Sequence, residues 1–243
     1  SRKLRQSRLT AGGANVLMAI RQKRAEAEAS GKQLLDLSIG EPKGPALLSA
    51  REAARDAVMS DDEVMHAYQY NDSPAVPGFA ERFVRAHAKT SLEGQEVDCL
   101  PILGIKPILG LLPLACGCAV QDVKVATTTK PGYPIPADWC DLHPLVKHQA
   151  LPLTVENDFR FGPGDIEPAT DLIMMNYPHN PSGQISTQDW LHDICAVCQE
   201  HDIRLFNDAA YISLSHTDES VLLSDVAGDY PELSWSEGFT AAK

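Results

Sequence analysis

The sequence predicts an α/β fold: a three-layer α/β/α arrangement on a mostly parallel, mixed sheet. Three observations carry the prediction. From Cys99 onward short apolar runs alternate with helical stretches, the order expected when helices cross over between strands and cover both faces of a sheet. The run Leu172-Ile173-Met174-Met175 is apolar without a break, which suits a strand buried on both faces. Several apolar runs end in loops crowded with Gly, Pro, Asn and Asp, and in such sheets ligands bind beyond the carboxyl ends of the strands.

In chain order, residues 12–30 are rich in Ala, Glu, Arg and Lys and read as a helix closing at Ser30-Gly31. QLLDLSIG (33–40) reads as a short strand that ends in the loop GEPKGP. Helices follow at about 46–59 and at 75–88. The later candidate strands are VDCLPIL (97–103), VKVATTT (123–129), HQALPLT (148–154), DLIMMNY (171–177), IRLFND (203–208) and LSWSEGF (233–239). Helices fit between them at 104–115, 135–142 and 187–201. There is no internal repeat and no low-complexity tract.

A chain of 243 residues with 44% hydrophobic content holds one large domain, or one plus a fragment. The formal net charge of -12 argues against nucleic acid or an anionic membrane as the main partner. The longest apolar run, residues 107–120, is interrupted by Pro113 and two glycines and is shorter than the ~20 residues of a membrane helix. Arg2, Lys3, Arg5, Arg8, Arg21, Lys23 and Arg24 all precede the first acidic residue, Glu26; we read this stretch as a basic arm on a soluble protein rather than as a transit peptide.

The cysteines 99, 116, 118, 140, 195 and 198 form no spaced disulfide framework and fit a reduced, cytoplasmic setting. Cys195 and Cys198 form a C-x-x-C with His192 nearby, but a metal site needs cysteines in a turn and further ligands at suitable spacing. Leu191, Ile194, Cys195 and Cys198 instead follow the stripe of an amphipathic helix, so core packing is expected and no metal.

Four strand ends and loops carry residues that burial alone would not select. Gly104-Ile105-Lys106 opens a helix, where backbone N–H groups and the helix dipole favour an anion. Tyr133 is held between prolines in KPGYPIP, as a ring-stacking residue or as part of a rigid turn. Asn180-Pro181-Ser182-Gly183 follows LIMM, and a cis X-Pro bond there would aim the asparagine in an unusual direction. Asp208 ends an apolar strand, where a carboxylate costs several kcal/mol unless its charge is satisfied, with Tyr211 three residues on.

Taken in order, the GEP loop, YNDSPAVPGFAER, GIK, PGYP, NPSG, DAAY and the terminal TAAK resemble the class I/II pyridoxal-phosphate aminotransferases of fold type I, from about residue 34 to Lys243. The resemblance implies that Asp208 faces the pyridine nitrogen and keeps it protonated. Asn180 and Tyr211 would meet the phenolic oxygen of the cofactor, and Tyr133 would stack on its ring. Gly104, Ile105 and Lys106 would begin the phosphate cup, joined by Thr240. Tyr70 would reach the phosphate of the neighbouring subunit in a homodimer, although Ala75 stands where the family has a glycine. Gly40 matches a glycine of the loop at the substrate entrance. Lys243 would form the internal Schiff base and then move the substrate's α-proton, although FTAAK is looser than the usual S-x-S-K.

Carried over to the whole chain, the resemblance implies an N-terminal arm and the start of a small domain at 1–45, and a large cofactor-binding domain at 46–243. Relatives continue past the lysine with a phosphate-binding arginine and a small domain that grips the substrate carboxylate, so the chain is expected to be a fragment. The implied activity is transfer of an amino group between an amino acid and a 2-oxo acid by a ping-pong mechanism, closest to the diaminopimelate-type branch. The competing readings are a β-eliminating lyase that uses the same residues and a truncated, non-catalytic cofactor-binding module. A nucleotide-binding doubly wound domain would need a G-x-G-x-x-G after a strand, and the sequence has none.

Overall fold

The computed structural model describes residues 16–35, 37, 44–68, 76–88, 92 and 95–240. Gly40, Tyr70 and Lys243 lie outside the described residues. Contacts divide the chain into two compact units, one running to Arg55 and one beginning at Asp56. The first unit holds α1 (Val16–Ala29) and most of α2 (Leu48–Val58). Helix α1 carries the i,i+4 ion pair Arg24–Glu28 at 3.0 Å. It closes as the sequence predicts: Gly31 has φ +81°, a left-handed conformation that costs a glycine little, and its N–H bonds to Glu28 O at 3.0 Å.

The second unit contains α3 (Phe79–His87), α4 (Ile105–Ala115), β1 (Val123–Thr127), α5 (Ile135–Leu142), β2 (Val146–Ala150), β3 (Leu172–Met175), α6 (Gln188–Glu200), β4 (Arg204–Asp208), α7 (Leu223–Val226) and β5 (Trp235–Gly238). The five strands form one sheet in the order β2-β1-β3-β4-β5, and every pairing among them is parallel. Strand β3 is central, and all four of its residues are buried. Its side chains alternate between two cores. Leu172 and Met174 pack with Ile105, Leu109 and Cys140 of α4 and α5, whereas Ile173 and Met175 pack with Leu191, Ile194, Cys195 and Cys198 of α6. That alternation makes the three layers.

Cys195 and Cys198 are core residues, as the helical stripe predicts. Both are 0% exposed, and burial pushes each thiol up to about 12. Helix α5 spans the expected 135–142, and α4 and α6 lie within one residue of their expected bounds at either end.

One predicted strand is corrected, and a second lies half outside the described residues. Among the described residues, 97–103 pair with no strand, and Leu103 is 100% exposed. The apolar run marks a surface here, and Pro101 lacks a donor for any ladder. Of QLLDLSIG, the described residues 33–35 and 37 are irregular, with Leu35 and Leu37 exposed. Strand β2 is shifted from 148–154 to Val146–Ala150, because Pro152 cannot continue the ladder; Leu151 and Leu153 instead turn into the α6-side core.

Candidate active site

Because all five strands run the same way, their carboxyl ends lie on one edge of the sheet. The chain goes from β1 to β2 on one side, then crosses back to β3 on the other. Such a reversal opens a crevice at the strand tips. A cleft of about 250 Å³ lies there, and it gathers Ile105, Lys106, Tyr133, Asn180, Asp208, Tyr211 and Thr240 from five separate stretches of sequence. Gly104 sits beside it as the N-cap of α4, with φ +104° and no side-chain cap, so the first-turn N–H groups of α4 are left to bind an anion. The structure thus brings together every predicted site residue that it describes.

Asp208 ends β4. Burial pushes its carboxyl up to about 6, and Ala210 N–H, donating to Oδ1 at 3.2 Å, offsets this only in part. No ion pair to this carboxyl is formed among the described residues. A buried carboxyl without a cation fits a ligand that brings its own positive charge. Tyr133 stands close: its hydroxyl is raised by burial first, then by Asp208 and Tyr211. Asn180 Nδ2 donates to Tyr211 Oη at 3.2 Å, so these two polar groups converge on one point of the cleft. The Asn180–Pro181 bond is cis. A flat ring with a cationic nitrogen, an acceptor oxygen and an anionic tail matches this donor set.

Several residues that hold the site escaped the sequence reading. Asn176, also in the cleft, donates from Nδ2 to Asp208 O at 2.7 Å and accepts from Asn180 N–H at 3.0 Å. Asn207, 1% exposed, accepts from Tyr177 N–H at 3.0 Å and donates to Glu237 at 2.8 Å, which ties the tips of β3, β4 and β5. Glu237 also accepts from Leu223 and Ser224 N–H, and burial raises its carboxyl against these bonds.

His179 links two loops. Its Nε2 meets Pro131 O at 3.2 Å and its Nδ1 meets Ser182 Oγ at 2.7 Å. A carbonyl only accepts, so Nε2 carries the hydrogen and Nδ1 accepts from the serine. Burial lowers the His179 pKa, against the raising effect of the bond to Pro131 O. For Asn176 and Asn207 the sequence signal was a polar side chain at the end of an apolar run; His179 stands just before the NPSG motif, and Glu237 lies within β5.

The family model for aminotransferase class I and II matches residues 32–238. Among curated proteins, the chain is 26% identical over 204 residues to the LL-diaminopimelate aminotransferase of Desulforudis audaxviator, covering 81% of this chain and 50% of that protein. It is 25% identical to LL-diaminopimelate aminotransferase 2 of Trichormus variabilis, covering 91% of this chain and 58% of that protein. The chain therefore spans little more than half the length of these relatives.

Solved structures share the fold. An aminotransferase from Mycobacterium tuberculosis superposes with a TM-score of 0.72 at 19% identity, covering 90% of this chain and 56% of that one. The aspartate aminotransferase from Rhizobium meliloti gives 0.72 at 20% identity, covering 94% and 56%.

Proposed function

The chain belongs to the class I and II aminotransferases, and from that premise we propose that its cleft binds pyridoxal 5'-phosphate and serves the transfer of an amino group between an amino acid and a 2-oxo acid. The observation that carries the reading is Asp208, a buried carboxyl at the tip of β4 that forms no ion pair among the described residues, in a cleft it shares with Tyr133, Asn180 and Tyr211. When bound, pyridoxal phosphate supplies an electron sink for bond breaking at the substrate's α-carbon, and the sink is strongest with its ring nitrogen protonated.

On this reading, the residues divide the work. Asp208 holds the proton on the ring nitrogen. Asn180 and Tyr211 bind the phenolic oxygen, and Tyr133 covers a ring face. The N-terminus of α4 with Gly104, Ile105 and Lys106, together with the hydroxyl of Thr240, binds the phosphate. Lys243 supplies the amine that fixes the cofactor covalently and, once released, the base that moves a proton at the α-carbon. Gly40 belongs to the substrate entrance.

We read the protein further as a cytoplasmic homodimer, with Tyr70 reaching the partner's phosphate site. Exposed Leu100, Ile102 and Leu103 support an apolar surface that a second copy covers, and six free cysteines support a reducing compartment. No helix among the described residues is long and apolar enough to cross a membrane. The diaminopimelate-type branch is supported by the names of the relatives above.

The test is direct. Purified protein mixed with pyridoxal phosphate should gain an absorbance band near the visible edge. Borohydride should then fix a pyridoxyl group on Lys243, located by peptide mass mapping. Turnover that depends on a 2-oxo acid separates a transaminase from a lyase. Label on another lysine would remove Lys243 from its role, and the absence of any band would remove the cofactor.

A further inference from the structure

Asn176 bonds to two residues of the proposed cofactor site, yet none of the roles above involves it. It is 8% exposed and follows directly on β3. Its own N–H donates to Thr128 Oγ1 at 3.1 Å, just past the tip of β1. Its side-chain Nδ2 donates to the main-chain carbonyl of Asp208 at 2.7 Å, and its Oδ1 accepts from the main-chain N–H of Asn180 at 3.0 Å. The orientation of the amide is fixed by these partners, since a carbonyl can only accept and an N–H can only donate.

The side chain thus ties the tip of β4 to the loop after β3, while the main-chain N–H of the same residue holds the tip of β1. It joins Asp208, a buried carboxyl lining the cleft, to Asn180, whose amide meets Tyr211 Oη at 3.2 Å. Asn176 is too short to slide without breaking one bond or the other, so the two partners move only together.

We propose that Asn176 is a positioning residue that sets the spacing between Asp208 and Asn180, and through Asn180 tunes the charge on the phenolic oxygen of bound pyridoxal phosphate. The inference rests on the reading of the cleft as a pyridoxal phosphate site. The physics is that of an outer-shell partner: it orients a donor that itself touches the ligand. Donors on the phenolic oxygen draw negative charge from it and weaken its hold on the neighbouring imine proton. With Asn180 misaligned, that proton is held more tightly.

The experiment is a pH titration of the absorbance of the holoenzyme. Asn176→Ala should move the midpoint of the cofactor's spectral change to higher pH by about half to one unit, the size of one misaligned hydrogen bond. In an Asn180→Ala background, the same substitution should move the midpoint no further, because the donor it acts through is already gone. Asn176→Ser gives the same readout if the alanine variant is insoluble. A folded Asn176 variant whose midpoint equals that of the wild type overturns the proposal, as does an undiminished shift in the Asn180→Ala background. A wild-type protein that shows no cofactor band at all overturns instead the reading of the cleft, so the two failures are distinct.

Discussion

Asp208 is held in the fold at a cost, and that cost has a sign. Its pKa is raised from 3.8 to about 6, so the folded protein disfavours the ionised form. Fold stability is therefore highest below about pH 4 as far as this group is concerned, and declines as pH rises to about 6. Above that the full penalty is present. Asp208→Asn should then stabilise the cofactor-free protein at pH 8 by about 1–3 kcal/mol, while the difference vanishes near pH 4. Thermal denaturation at the two pH values checks this. The same substitution should cut cofactor-dependent turnover by at least about a hundredfold, since an amide cannot hold the ring proton as a carboxylate does. A variant that is both no more stable at pH 8 and fully active would remove the proposed role.

At the scale of elements, the loop between β1 and α5 shows why sequence spacing matters. Gly132 stands immediately before Tyr133, and a Cβ there would lie 2.0 Å from Thr128 O and 2.6 Å from Thr129 Cα. These are backbone atoms and cannot swing aside. Gly132→Ala should lower stability by about 2–3 kcal/mol and displace Tyr133 from the cleft. A Cβ on Gly164 meets nothing within 4 Å, so Gly164→Ala should be neutral or slightly stabilising. Urea midpoints of the two variants give the comparison; equal midpoints would show that the loop yields more easily than its geometry indicates. His179, braced against Pro131 O and Ser182 Oγ, holds this same loop to the one that carries Asn180.

For the whole molecule, the exposed apolar run at 100–103 leads directly into Gly104 and α4. If a second copy covers it, the protein sediments as a dimer, and Leu103→Glu shifts it toward monomer and weakens cofactor binding with it. A wild-type monomer at micromolar concentration, saturable with pyridoxal phosphate, would contradict the dimeric arrangement. The central strands do not need that contact for their burial: two cores, on the α4–α5 side and the α6 side, cover them from both faces.

Much of this was written locally. The unbroken LIMM run gave a two-sided strand because parallel strands lose both faces to helices. The α6 stripe gave Cys195 and Cys198 as packing because 3.6-residue periodicity is a short-range property. Gly104 before Ile105, Asn180-Pro181 and Asp208 at a strand end were visible because glycine, proline and a carboxylate are each costly where an apolar strand stops. The tertiary structure alone decided the rest. VDCLPIL looks like a strand, but pairing depends on which edge is free, and neither edge strand takes it. Asn176 reads as one more polar residue of a turn, since its Asp208 partner lies 32 residues away and meets it only when β3 and β4 align. The raised carboxyl of Asp208 likewise depends on which neighbours pack around it and exclude water. Local chemistry fixes which backbone a residue prefers; long-range packing fixes what it touches, and the site is made of what its residues touch.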